Sequence, residues 1–137
     1  MSPRISKRAS VPRSKYQDYA HVADNFYAGA EAARVFGYWN ASGVLIVHAA
    51  IAYSDAITIK VGGVKSQGED HMAAVDLVRQ VMVLDKTAEG ALKHLWQMIQ
   101  EKNTVSYYGE IYTRRDVDKL WKHLERYRAW ALSVLGQ

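Results

Sequence analysis

Residues 44–59 read VLIVHAAIAYSDAITI, and this run limits the possible folds more than any other part of the chain. Its length alone would let it cross a bilayer, since about 20 apolar residues suffice. Its contents argue otherwise. Asp55 near the centre of a span would cost about 2.5 to 3.5 kcal/mol on insertion, and Tyr53 and Ser54 add polarity. The run therefore reads as the central helix of a bundle, apolar all round because other helices cover it. Asn40 is the expected N-cap and Gly62-Gly63 the stop. Ala49, Ala50, Ala52 and Ala56 would let the neighbours come close.

The flanking segments carry helical stripes. Tyr16, Tyr19, Ala20, Ala23, Phe26, Tyr27, Ala30 and Ala33 recur every three or four residues up to Gly37. After the loop VGGVKSQGED, a third helix is expected from about Asp70 to Leu84, with Ala74, Val75, Val78, Val81 and Met82 inward. Thr87 is the expected cap of a fourth, whose stripe is Ala91, Leu92, Leu95, Met98 and Ile99. Thr113 with Asp116 makes a variant capping box for a fifth, with Val117, Leu120, Trp121, Leu124, Tyr127, Ala131 and Val134 inward. The VSYYGEIY segment alternates too briefly for a stable hairpin, and YYGEIY reads as an ordered loop on the bundle. The fold class is all-α, an antiparallel four- to five-helix up-and-down bundle.

A chain of 137 residues makes one domain and buries roughly 68 to 70% of its unfolded surface. The absence of cysteine excludes disulfides and thiolate chemistry, and fits a cytoplasmic protein. The net charge of +4 has a local origin. Arg4, Lys7, Arg8, Arg13 and Lys15 fall in a first stretch without acids, whereas 13 basic and 14 acidic residues follow it. Residues 1–15, with both prolines, are expected to be a flexible basic arm, and residues 16–137 the helical domain. The arm lacks the continuous apolar core of a secretory signal.

His48 and Asp55 share a face of the central helix but lie about 10.5 Å apart along its axis, so they do not pair with each other. A polar seam that also receives Asp70 and His71 would meet them both. The spacing of these four matches no metal-binding element, so no metal or cofactor is expected. Lys65, in the glycine-rich loop, would offer a positive charge to a phosphate in an interhelical pocket, although GGVKSQGED lacks P-loop order.

The ADNF of the first helix, the Trp39-Asn40 turn, the HAAIAYSDA helix, the KSQGEDH loop and KNTVSYYG before the last helix occur together in this order. This pattern, from Tyr16 to Leu135, resembles the HEPN family of helical bundles. The resemblance implies a homodimer, an RNA-processing or ribonuclease-toxin setting, and a possible nucleotidyltransferase-type protein partner. The family's catalytic signature is an arginine followed, after four to six intervening residues, by a histidine in the turn before the last helix. Lys102 stands where the arginine is expected and Tyr107 where the histidine is expected. Lys65 and His71 have that spacing, but with lysine and in another loop.

Metal-independent RNA cleavage needs a group that exchanges protons near neutral pH, and a phenol with an ordinary pKa of about 10 replaces imidazole poorly. Lysine supplies a point charge without the bidentate fork of arginine. The expected function is therefore noncatalytic: a dimeric HEPN-like module binding a nucleotide or RNA backbone through Lys102, Asn103, Tyr107 and Tyr108. One alternative is a protein-interaction or antitoxin-like module with Trp96, Trp121 and Trp130 as anchors. Another is an active ribonuclease or hydrolase using the His48, Asp55, Asp70 and His71 seam.

Overall fold

The computed structural model describes residues 8–67 and 71–137 and is an all-α helical bundle with one small two-stranded ribbon. Its helices are α1 (Tyr16–Val35), α2 (Trp39–Gly62), α3 (Met72–Val81), α4 (Lys86–Gln100), the short α5 (Lys102–Ser106) and α6 (Arg114–Leu135). The ribbon pairs β1 (Arg8–Ser10) with β2 (Val64–Ser66). As expected, α2 is the hub: α1, α3, α4, α5 and α6 all pack against it. Fourteen of its residues, from Ser42 to Thr58 and Ile59, are buried. It is long and apolar enough to cross a membrane, yet 61% of that window lies inside the protein.

The stripes fall where their spacing puts them. Ala91, Leu92, Leu95, Met98 and Ile99 of α4 are all buried, as are Val117, Leu120, Leu124, Tyr127 and Ala131 of α6. Trp121 and Val134 are only half-buried against that core. The Thr113 box forms, with the hydroxyl accepting from Asp116 N and the Asp116 carboxylate accepting from Thr113 N.

Four boundaries differ from expectation. Asn40 lies inside the first turn of α2 rather than capping it. Asp85, not Thr87, caps α4 by accepting from Ala88 N at 2.8 Å. At its far end α3 stops at Val81, because Met82 turns extended at ψ 149°. Part of the arm is tied down as well: Arg8 to Ser10 pair antiparallel with Ser66 to Val64, and Arg13–Lys15 form a single 3-10 turn. The cause is Gly63. At φ 65° it ends α2 in the left-handed region and sends Val64–Ser66 out as a free strand edge. Val11 N then donates to Gly63 O at 2.9 Å, and Arg8 bonds Gln80 of α3.

Freed from capping, Asn40 stitches the α5–α6 connection to α2. Its amide donates to Glu110 O at 2.8 Å and Val105 O at 3.5 Å, while its carbonyl accepts from Tyr112 N at 2.9 Å. Asn40→Ala would leave these groups without a partner, an expected loss of about 1 to 3 kcal/mol. Urea denaturation would read that loss, and hydrogen exchange at residues 107–112 would rise with it.

Candidate nucleic-acid interface

Lys102 opens α5, and α5 is pinned hard against α2. A Cβ on Gly43 would sit 2.6 Å from Val105 Cγ2, so only glycine permits this approach. The contact sets Lys102 beside the connection that follows. Its ammonium lies 5.4 Å from the centroid of the Tyr107 ring, a cation–π distance. Tyr107 and Tyr108 are 71% and 69% exposed, so both rings face solvent. Asn103 follows Lys102 in α5, and its side chain is outside the described set.

The turn between α1 and α2 lies at the same end, because Asn40 bridges to it. There Val35, Phe36 and Tyr38 are exposed, and the rings of Phe36 and Tyr38 stack at 6.2 Å. Ile111 extends the surface from the α5–α6 side. Arg34, Trp39 and Arg114 border one cleft there, between α1, α2 and α6.

Cations run from this end along α6. Residues 114–122, RRDVDKLWK, carry four basic groups against two acidic ones. Both acids are engaged: Asp116 in the cap, and Asp118 with Arg34 at 3.0 Å and Arg114 at 3.8 Å. Arg115, Lys119 and Lys122 are exposed, border one open depression and make no ion pair within 4 Å among the described residues. Sequence reasoning passed over them, although their spacing of four and three residues marks a helical face.

The remaining expected site residues are spread over α2, β2 and the start of α3. Lys65 sits on β2, with its ammonium 3.9 Å from the Asp55 carboxylate and 5.9 Å from the Tyr19 ring centroid. It therefore serves Asp55, well away from Lys102. Burial pushes the Asp55 carboxyl up to about 7, and Lys65 only partly opposes that. His48, one face-repeat away, packs against the Phe26 ring at 5.8 Å. Burial lowers its pKa, and the charge of Lys102 lowers it further. The two α2 members of the expected seam thus have different neighbours. His71 is half-buried just ahead of α3, and Asp70 lies outside the described residues.

Of the three tryptophans expected as anchors, Trp96 is exposed, whereas Trp121 stacks on Tyr27 at 5.1 Å beneath Arg34 and Trp130 leans on Tyr127. Among the described residues, no group of three or more His, Asp, Glu or Cys side chains gathers to hold a metal. Comparison with protein-family models, with curated proteins and with solved structures gives no match for this chain.

Proposed function

We propose that this protein is a noncatalytic module that binds single-stranded RNA or a nucleotide at the end of the bundle formed by the α1–α2 turn, α5 and the start of α6. One observation carries the reading: two exposed tyrosine rings, Tyr107 beside Lys102 and Tyr108 after it, stand next to a helix face whose Arg115, Lys119 and Lys122 make no ion pair among the described residues. Rings of this kind stack on unpaired bases, and such cations follow the backbone. Tyr107 and Lys102 also keep this a binding site, since neither supplies an imidazole. A HEPN-like homodimer, with a nucleotidyltransferase-type partner in the cytoplasm, belongs to the same proposal, as the family resemblance implies.

Fluorescence anisotropy with a labelled RNA single strand tests it. Three phosphate contacts predict a slope of about −2 in log K against log salt, so raising salt fourfold would weaken binding about twentyfold. Lys119→Glu with Lys122→Glu is expected to weaken it by about tenfold or more, and Tyr107→Ala with Tyr108→Ala to remove the preference for single strands over duplex. Absent or salt-independent binding would defeat the proposal. In that case the exposed Val35, Phe36, Ile111 and Trp96 favour the protein-interaction reading, which co-purification with a partner protein would support.

A further inference from the structure

On the side of the bundle where α4 packs against α6, two imidazoles face each other across the helix pair. His94 Nδ1 and His123 Nδ1 are 2.9 Å apart, with ring centroids 5.2 Å apart and planes tilted by 48°. In the absence of another species, one ring donates and the other accepts. We propose that His94 and His123 form a two-imidazole site for a first-row transition-metal dication such as zinc, with its remaining coordination positions open to water. This site is independent of the RNA-binding reading.

The geometry lies close to what such an ion needs. Imidazole nitrogens bind zinc at about 2.0 to 2.1 Å, which in a tetrahedral arrangement separates two of them by about 3.3 Å. Widening the pair by about 0.4 Å is enough, and both rings are only half-buried. Both pKa values are lowered, His94 by burial, then by His123 and Arg126, and His123 by burial, then by Arg126 and Lys119. Both rings are therefore neutral at neutral pH, and the ring that donates need only carry its proton on Nε2 instead for both Nδ1 lone pairs to ligate.

The surroundings hold charges of both signs. Arg126 and Lys119 oppose a dication. His123 also borders a cleft of about 250 Å³ that Glu101, Glu110 and Asp116 line as well. Gln97, one turn beyond His94, lines the same cleft. The cleft gives the ion a route from solvent and room for bound water. With two protein ligands the ion is exchangeable, and it ties α4 to α6.

The test uses the metal alone. Zinc added to the metal-free protein is expected to raise its melting temperature, and cobalt to give visible bands of a low-coordinate nitrogen site. His94→Gln and His123→Gln should each weaken binding by about tenfold or more, while His21→Asn, on the exposed face of α1, should leave it unchanged. Circular dichroism shows whether each variant is folded. Should either fail to fold, imidazole nitrogen NMR of the wild type decides: zinc-dependent shifts at His94 and His123 support the site. No binding, binding equal in the variants, or shifts confined to other histidines would leave the pair as a hydrogen bond alone and overturn the proposal.

Discussion

Asp55→Asn is expected to stabilise the protein at pH 8 by about 2 to 4 kcal/mol and to change little at pH 4. The folded carboxyl titrates at about 7 rather than 3.8, because α2 holds it out of water and one lysine at 3.9 Å does not compensate. A raised pKa means that the fold favours the protonated acid. The stability this gives is complete below the unfolded value and is lost as pH rises through about 7. A displacement of about three units corresponds to about 4 kcal/mol at most. Asparagine keeps the shape of the protonated group and removes the titration. Urea denaturation at pH 5 and pH 8 would read the difference: the wild type should lose stability between them and the variant should not. A variant less stable at pH 8 would show instead that the ion pair with Lys65 outweighs burial.

Arg128→Ala is expected to cost about 2 to 3 kcal/mol, more than a charge on a solvated helix face would. In the sequence, ERYR at 125–128 reads as such a face, with Glu125 and Arg128 one turn apart. The structure turns both toward α1. Arg128 Nε donates to the Tyr53 hydroxyl at 2.8 Å, its guanidinium lies 4.0 Å from the Tyr27 centroid, and Nη2 is 3.6 Å from Asp24. Tyr53 donates to Asp24 and Tyr27 to Glu125, so three helices share one set of polar contacts. Burial and Glu125 push the Tyr27 phenol up to about 12. Arg128→Lys should recover little, since an ammonium has neither the Nε–H nor the flat face. Thermal denaturation of the three proteins would distinguish these outcomes, and a loss below about 0.5 kcal/mol would contradict the assigned contacts.

The helices were legible because burial on one side leaves a period near 3.6 in the sequence, and Leu92, Leu95 and Met98 or Leu120, Leu124 and Tyr127 keep it without interruption. Three-residue strands leave no such trace, so β1 and β2 could not be read. The cap of α4 was ambiguous for a different reason: Asp85 and Thr87 are both good N-cap residues, and only the backbone chooses. Lys102, Tyr107 and Tyr108 were singled out by the family resemblance, and the short connection keeps Lys102 and Tyr107 near each other. Pairs that depend on how two helices are rotated about their axes were beyond a single sequence. His94 with His123 and Tyr53 with Arg128 are of this kind. So is the separation of Lys65 from Lys102, which follows from the length of the helix between their contacts.

The order in which the chain is made gives the hub helix a further consequence. α1 and α2 are neighbours in sequence and pack closely, so a nascent chain can pair them before α6 has been synthesised. At that stage Tyr53 already has Asp24 of α1 and Ser54 the Ala50 carbonyl of its own helix, while their α6 partners Arg128 and Tyr127 are still to come. The greasiest segment of the protein thus leaves the ribosome with a wettable flank, and the arrival of α6 replaces solvent on that flank with matched side chains.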